Sequence, residues 1–386
     1  MKIVYKTSTS FLDSDFPLIR QLQLSGHDVY TFVDLPCYAL RSTLVDIKEQ
    51  KPETTIMLAT DYDEFKIFEL YFDTSKLFVV NRIEKSIKKW SNIKIKHTLF
   101  KHIKSLNPDV LVSPCIPDFS DFEIFRLRSK LVLTVHDPFP HSGEDNYRNY
   151  FNRKIAMRMC KKIVLLNKTQ VRQFTDFWHI SPERILLNKM GIFDYMNLYL
   201  PQLTHFQRDV TKPNILFYGR ISPYKGIEYL LEAMKIVHVQ IPKATLTVVG
   251  GGKMYFDIAP YENLSYVEIR NYYIGMRELT EYLTRSSIVV CPYTDATQSG
   301  VVLTSFAMNK PVIATNVGAM GEYIEDGKTG ILVPPCNSLA LADAIIDVLG
   351  NPWRLAEMEQ VIRERNMSNS ESWSGIVQKY VEFYKM

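Results

Sequence analysis

Residues 215–226 read ILFYGRISPYKG, and this stretch decides the class of fold. An apolar strand runs into Gly219, and an amphipathic helix follows over residues 226–239. The loop between them carries Arg220 and Lys225. Open α/β sheets bind ligands at the carboxyl ends of their strands, where helix N-termini also point. A planar guanidinium and a compact ammonium at that place suit a diphosphate. From spacing alone, two solvated side chains on a loop are an equally weighted alternative.

Strands and helices alternate along the rest of the chain, which predicts an α/β fold with parallel sheets. The other predicted strands are short apolar runs over residues 2–5, 28–33, 55–59, 110–113, 130–135, 163–166, 184–187, 244–249, 287–291, 311–315 and 330–333. The polar, proline-containing stretch 199–213 is the best linker. We therefore predict two domains of similar architecture, over residues 1–200 and 201–372.

A second candidate anion site follows the predicted strand 287–291. Residues 295–304 read DATQSGVVLT, a polar loop with a glycine that passes directly into an apolar helix. A helix N-terminus presents unpaired backbone N–H groups to an anion. The alternative is that the serine and threonines of this loop only cap the helix.

Three further patterns carry less weight. His136 stands just past the strand 130–135, at a crevice position, although a structural histidine is the simpler interpretation. The run Gly250–Gly252 follows a strand but lacks the full spacing of a dinucleotide loop. Asp61 and Asp63 resemble a metal-holding pair, although two acids in a charged turn are common.

Composition excludes several classes of protein. The chain has 386 residues, 46% hydrophobic, with a net charge of +4, which argues against a strongly basic nucleic-acid binder. Its five cysteines are widely spaced and include no Cys-x-x-Cys pair, so neither a disulfide framework nor a zinc site is expected. The apolar stretch over residues 3–5 is short, so we expect no signal peptide, and the sequence contains no run of about 18 apolar residues. We expect a cytoplasmic protein.

Residues 215–349 resemble the nucleotide-sugar domain of glycosyltransferase family 4, whose fold is GT-B. The resemblance rests on the order and spacing of several stretches, which are 216–226, 246–252, 287–293, 310–318, 321–322, 326–327 and 329–334. Looser matches in the first half are 25–29, 134–137 and 188–194. The tail 373–386 looks like the family's last helix, which crosses back onto the N-terminal domain.

The resemblance implies two Rossmann-like domains that face a central cleft. A nucleotide-diphosphate sugar would bind the C-terminal domain, and a glycan or lipid-linked glycan acceptor the N-terminal one. The family transfers the sugar with retention of configuration and needs no metal or cofactor. We expect a UDP-sugar in preference to a GDP-sugar, and a role in surface polysaccharide biosynthesis.

The resemblance also implies roles for individual residues. Arg220 and Lys225 match the pair that neutralises the leaving diphosphate, and His136 matches a histidine at the reaction centre. The implied donor-binding residues are Arg220, Lys225, Asn271, Tyr273, Asp295, Gln298, Ser299, Gly300, Val301 and Thr304. The implied acceptor-binding residues are Ser8, Thr9, Ser10, His136 and Asp137.

The chain departs from the family pattern at two places. The family's Glu-x7-Glu acids fall on Ala296 and Thr304, so both carboxylates are missing. The first-strand loop, at residues 7–10, lacks the usual glycine pair. These departures motivate an alternative from another class, a catalytically weak family member that acts as a scaffold or binding subunit of a glycan assembly complex.

The positive charge is concentrated in residues 76–172, which hold 20 basic and 8 acidic residues. Within this region the spacing of Ile83, Ile87 and Trp90 predicts one basic amphipathic helix over residues 78–104. Such a helix could lie on an anionic membrane surface, which would place the protein at the inner membrane face. An ordinary solvated helix over a core is the equally weighted alternative.

Overall fold

The computed structural model describes residues 1–86, 88–139, 147–296, 299–367 and 372–386. The chain divides into two compact units. The first unit comprises Met1–Gly191 together with Trp373–Met386, and the second comprises Ile192–Ser372. The division therefore falls between 191 and 192, earlier than the 200/201 boundary expected from the proline-containing stretch.

An eight-stranded sheet forms the centre of the first unit, in the order β3-β4-β2-β1-β5-β6-β7-β8. All neighbouring strands are parallel except the antiparallel pair β3 and β4. The strands are β1 (Lys2–Ser8), β2 (Asp28–Pro36), β3 (Ile56–Leu58), β4 (Leu77–Arg82), β5 (Val110–Ser113), β6 (Leu131–Val135), β7 (Lys162–Leu165) and β8 (Ile185–Leu187). β5 and β6 are buried throughout, as is typical of parallel strands covered on both faces.

Helices connect these strands. They are α1 (Leu12–Leu24), α2 (Asp63–Lys66), α3 (Trp90–Ser105), α4 (Tyr147–Met159) and α5 (Val171–Trp178). Short 3₁₀ helices cover Thr9–Phe11, Ala59–Asp61, Ile67–Leu70, Phe119–Leu127 and Pro182–Arg184. Since β1 pairs with both β2 and β5, the sheet order changes direction at β1, and the loop that follows Ser8 lies at that point.

A six-stranded, fully parallel sheet forms the centre of the second unit, in the order β11-β10-β9-β12-β13-β14. The strands are β9 (Asn214–Tyr218), β10 (Thr245–Val249), β11 (Val267–Arg270), β12 (Ile288–Cys291), β13 (Val312–Thr315) and β14 (Gly330–Val333). The helices are α6 (Ile227–Gln240), α7 (Ala259–Glu262), α8 (Met276–Arg285), α9 (Gly300–Ala307), α10 (Met320–Tyr323), α11 (Ser338–Leu349) and α12 (Pro352–Met367). Short 3₁₀ helices cover Asp194–Leu198, Leu200–Gln202 and Pro223–Lys225.

The last helix, α13 (Trp373–Lys385), belongs to the first unit. Its buried side chains include Trp373, which packs against Gly191 so closely that a Cβ there would collide with the indole. Asn188 Nδ2 donates to the Ile376 carbonyl at 3.1 Å, and Lys162 Nζ donates to the Tyr384 carbonyl at 3.0 Å. The helix is therefore part of the core of the first unit.

The single basic helix expected over residues 78–104 is wrong. Residues 77–82 form strand β4, and α3 begins only at Trp90. Ile83 lies outside both elements, and Ile87 lies outside the described residues. Val79 lies in strand β4 and is fully buried, and Lys96, one of the basic residues of the segment, is only 4% exposed.

Lys96 is the centre of a buried ion-pair network. Its Nζ lies 2.9 Å from Asp34 Oδ2 and 3.5 Å from Asp121 Oδ1. Lys6 lies 3.2 Å from Asp121, and Arg82 lies 3.4 Å from Asp34. Burial alone would raise the pKa of Asp121, but Lys6 and Lys96 hold it down at about 2. The network fastens α3 and the 3₁₀ helix Phe119–Leu127 to β1, β2 and β4.

Removal of the Lys96 ammonium should destabilise the protein strongly, because two buried carboxylates would lose a partner. We expect Lys96→Ala to lower the free energy of unfolding of this unit by about 3–5 kcal/mol in urea denaturation. The matched control is Lys94→Ala on the same helix, where the side chain is exposed, and its effect should stay within about 0.5 kcal/mol. Equal effects of the two substitutions would contradict the role of the network.

Candidate functional site

Two loops lie at the point where the order of the second sheet changes direction. β9 pairs with β10 on one side and with β12 on the other, so the chain leaves the centre of the sheet in both directions. Residues 219–226 follow β9, and residues 292–296 follow β12. The crevice outside the carboxyl ends of strands at such a point is where open α/β sheets bind ligands.

Backbone contacts hold the loop after β9 in place. The Gly219 N–H donates to the Val249 carbonyl at 3.1 Å, and the Ile221 N–H donates to the Gly251 carbonyl at 3.1 Å. Gly226 has a φ of +60°, which favours glycine, and a Cβ there would collide with the Pro292 carbonyl oxygen. The loops after β9 and β12 are therefore in direct backbone contact.

The run Gly250–Gly252 serves this close packing. Gly250 has a φ of +152°, and a Cβ on it would collide with the Gly219 carbonyl oxygen. Its N–H donates to the Arg270 carbonyl at 3.0 Å. The glycines after β10 thus let three neighbouring loops approach one another.

Lys225 is partly buried against aromatic rings. Its Nζ lies 3.7 Å from the centre of the Tyr293 ring and 5.0 Å from that of Tyr224. Burial lowers the pKa of Lys225 to about 8, the Arg220 charge acts in the same direction, and the Cys291 thiol opposes it. Arg220 itself is exposed. The loop therefore offers one exposed guanidinium and one sequestered ammonium.

Helix α9 begins at the end of the loop that follows β12. Its N-cap, Ser299, is 5% exposed and makes no side-chain capping hydrogen bond. The Ser222 hydroxyl is buried and has no hydrogen-bond partner among the described residues, and the buried hydroxyls of Tyr293 and Ser299 face one another. Unsatisfied buried hydroxyls cost free energy, about 1–3 kcal/mol each. The Ser222 hydroxyl, the Lys225 ammonium and the N-terminus of α9 are thus polar groups that these two loops offer to a ligand.

The other residues expected to bind the donor differ in their exposure and in their hydrogen bonds. The Asn271 side-chain oxygen accepts from the Gly252 N–H at 3.1 Å, and Tyr273 is 39% exposed. Thr304 is only 5% exposed, whereas Asp295 is exposed. Gly300 and Val301 form the first turn of α9, where the Val301 carbonyl accepts from the Tyr218 hydroxyl at 2.9 Å. Gln298 lies outside the described residues.

In the first unit, His136 immediately follows β6. Burial lowers its pKa to about 4, so the imidazole is neutral at physiological pH, although Asp137 opposes the shift. Its ring lies 4.8 Å from that of Phe11, and its Nε2 has no hydrogen-bond partner among the described residues. Arg153 donates to the Asp137 carbonyl at 2.7 Å.

The residues of the loop after β1 differ in their exposure to solvent. The Thr9 hydroxyl is already engaged, because it donates to the Ala39 carbonyl at 3.0 Å and Thr9 is 2% exposed. Ser8 is half-buried and Ser10 is exposed. Asp13, which the sequence patterns did not single out, follows on α1, and burial raises the pKa of its carboxyl to about 6.

No cluster of three or more metal-ligating side chains occurs in the described residues. Asp63 of the Asp61/Asp63 pair is 88% exposed at its side chain and forms an ion pair with Lys66 at 2.6 Å. Within the described part of the chain, no helix is both long enough and apolar enough to cross a membrane.

Comparison with known proteins adds family evidence. Residues 212–351 match the model of a family described as glycosyl transferases group 1. An uncharacterized glycosyltransferase of Haemophilus influenzae is 24% identical over 312 residues, 78% of this chain and 85% of the relative. An uncharacterized glycosyltransferase of Methanocaldococcus jannaschii is 28% identical over 178 residues, 44% of this chain and 47% of the relative. The chain thus spans about half the length of that second relative.

The chain also resembles solved structures along its whole length. HepE from Anabaena, solved with UDP and glucose, has a TM-score of 0.68 at 15% identity, covering 100% of this chain and 99% of that one. This likeness confirms the GT-B fold that the sequence predicts. The family match and the two sequence relatives support a glycosyltransferase family.

Replacement of Gly226 should disturb the loop that carries Lys225. Gly226→Ala places a methyl group against the Pro292 carbonyl at a φ that disfavours alanine, so we expect a loss of at least about 2 kcal/mol in the free energy of unfolding. Gly275→Ala is the matched control, because a Cβ there meets nothing within 4 Å and its φ of −82° is ordinary. Urea denaturation of both variants measures the difference, and an unaffected Gly226→Ala protein would show that the backbone contact is unimportant.

Proposed function

We propose that the protein is a glycosyltransferase that moves a sugar from a nucleotide-diphosphate donor to a glycan or lipid-linked glycan. The observation that carries the proposal is the pairing of Arg220 and Lys225 on a loop at the sheet's change of direction. The N-terminus of α9 and the buried Ser222 hydroxyl lie on the same two loops. Cations, free N–H groups and hydroxyls are the groups that a diphosphate requires.

The proposed reaction retains the configuration of the sugar and uses no metal. The bond between the anomeric carbon and the diphosphate oxygen breaks, and the acceptor hydroxyl forms a new bond to the same face of that carbon. The acceptor's proton passes to an oxygen of the leaving diphosphate. Arg220 and Lys225 stabilise the negative charge that develops on this group, a task that a divalent cation performs in other transferases.

We propose a UDP-sugar in preference to a GDP-sugar as donor, and a place in surface polysaccharide biosynthesis. The support for uridine is that HepE, a protein of the same fold, was solved with UDP-glucose. The base would lie near Asn271 and Tyr273, beyond the end of β11. His136 and the first-strand loop carry the proposed acceptor contacts of the first unit.

The scaffold alternative keeps one observation in its favour. Ala296 and Thr304 stand where the resembled family has acids, and the burial of Thr304 limits what its hydroxyl can offer a ligand. A protein that binds no nucleotide would fit this alternative. Nucleotide binding followed by release of the diphosphate would fit the enzyme.

Loss of either cation should reduce donor turnover at least about a hundredfold, because each stabilises the departing diphosphate. We expect this for Arg220→Ala and Lys225→Ala in a screen that measures nucleoside diphosphate release from UDP- and GDP-sugars. Lys243→Ala is the matched control, since this exposed lysine precedes β10 at the opposite edge of the sheet. Wild-type rates in both cation variants would refute the proposed site.

The pH dependence gives a second readout of the same site. Arg220, Cys291 and the rings of Tyr224 and Tyr293 surround Lys225, whose burial lowers its pKa to about 8. The protonated amine is the form that binds phosphate, so UDP affinity should fall as the pH rises through about 8. Lys225→Ala should lose this decline. A thermal shift series with nucleotides tests the scaffold alternative, which predicts no stabilisation by any of them.

For the membrane, we propose a surface different from the one that the sequence suggested. Tyr150, Phe151 and Phe177 are 41%, 50% and 52% exposed and lie on α4 and α5. The rings of Tyr150 and Phe177 are 6.3 Å apart, and Lys154 Nζ lies 5.8 Å from the Tyr150 ring. Residues 147–180 hold eight basic residues against one acidic residue. Exposed aromatic rings among cations suit an anionic bilayer.

Vesicle co-sedimentation tests whether the surface of α4 and α5 or the surface of α3 binds the membrane. The double variant Phe151→Ser/Phe177→Ser should reduce the fraction bound to phosphatidylglycerol vesicles at low salt at least about fivefold, because it removes the inserted rings. Trp90→Ser, on the α3 surface and 78% exposed, is the matched control and should bind like the wild type. Binding lost in the control but kept in the double variant, or absent in the wild type, would contradict the proposal.

A further inference from the structure

Tyr293 stands directly after β12 and is 1% exposed. The Thr315 hydroxyl donates to its carbonyl at 2.5 Å, which ties its backbone to β13. Tyr224 contacts its ring edge-on, with the ring centres 6.3 Å apart and an angle of 74°. The Tyr293 backbone is therefore tied to β13, and its buried ring packs against the loop after β9, which restricts its movement.

The face of this ring lies under the Lys225 ammonium. At 3.7 Å from the ring centre, Nζ is well within the distance at which a cation is attracted to an aromatic face. None of the groups that shift the pKa of Lys225 is a carboxylate. This matters because a carboxylate would position the ammonium but also neutralise it, whereas a ring positions it and leaves its charge available to an anion.

We propose that Tyr293 is a positioning residue that seats the Lys225 ammonium for the donor diphosphate, an inference that rests on the proposed function. Tyr224 extends the seat from the other side of the loop. The donor would then find the cation already in place, without the loss of side-chain entropy that a freely moving lysine would incur.

The ring, and not the hydroxyl, performs this role. The Tyr293 hydroxyl lies at the edge of the ring, toward Ser299 and Cys291, so its removal leaves the ring face under Lys225 Nζ unchanged. Tyr293→Phe therefore keeps the seat intact, whereas Tyr293→Leu fills much of the same space without an aromatic face. Comparison of these two variants distinguishes a role of the ring face in positioning the ammonium from a role in core packing alone.

The experiment titrates UDP and GDP into the wild type, Tyr293→Phe, Tyr293→Leu, Lys225→Ala and the double variant Tyr293→Leu/Lys225→Ala by calorimetry. Thermal melting first establishes which variants are folded. We expect Tyr293→Leu to weaken nucleotide binding about tenfold and Tyr293→Phe to remain within about twofold of the wild type. Once Lys225 is alanine, Tyr293→Leu should cause no further loss, because the two residues act as one unit.

Each outcome has a distinct meaning. Wild-type affinity in folded Tyr293→Leu, or losses that add in the double variant, overturn the seating role while a weakened Lys225→Ala leaves the proposed function standing. A Tyr293→Phe protein as weak as Tyr293→Leu also overturns it, since the hydroxyl would then be responsible. A wild type that binds neither nucleotide overturns both the inference and the proposed function.

Discussion

The candidate site depends on the backbone contacts between the loops that leave β9 and β12 in opposite directions. Gly226 lies against the Pro292 carbonyl, and the Thr294 N–H donates to the Tyr224 carbonyl at 2.8 Å. These contacts hold Lys225 and Tyr293, which belong to different loops, in one geometry. A side chain at position 226 would separate the loops, which is why a glycine with a left-handed φ stands immediately after the lysine.

The two units surround a buried lysine with different groups, although both units are built on largely parallel sheets. In the first unit, Lys96 is buried with Asp34 and Asp121, and opposite charges satisfy one another. In the second, Lys225 is sequestered against rings, which leaves its charge uncompensated. The ion pairs around Lys96 stabilise the folded unit. The ammonium of Lys225 has no such partner, so its burial costs free energy unless an anion binds to it.

The sequence was informative wherever a local pattern was sufficient. The strands β5, β13 and β14 are continuous apolar runs between turns, and their positions could be predicted closely. β4 could not, because its polar Asn81 is buried through distant partners. Its side-chain nitrogen donates to the Lys51 carbonyl at 2.9 Å and to the Thr54 carbonyl at 2.8 Å. Arg220 and Lys225 could be singled out as candidates from the strand–loop–helix pattern, and the family resemblance suggested their role. The seat under Lys225 was not, since only the adjacency of β9 and β12 brings Tyr293 to it.

The position of α13 has a consequence for the order in which the chain can fold during synthesis. Trp373, Ile376 and Tyr384 complete the core of the first unit, yet they follow the whole of the second unit in the chain. A ribosome therefore releases residues 1–191 long before their last helix exists. While residues 192–372 are translated, the apolar surface of α1 that α13 later covers stays exposed on the nascent first unit. The second unit is continuous in sequence and can fold in that interval.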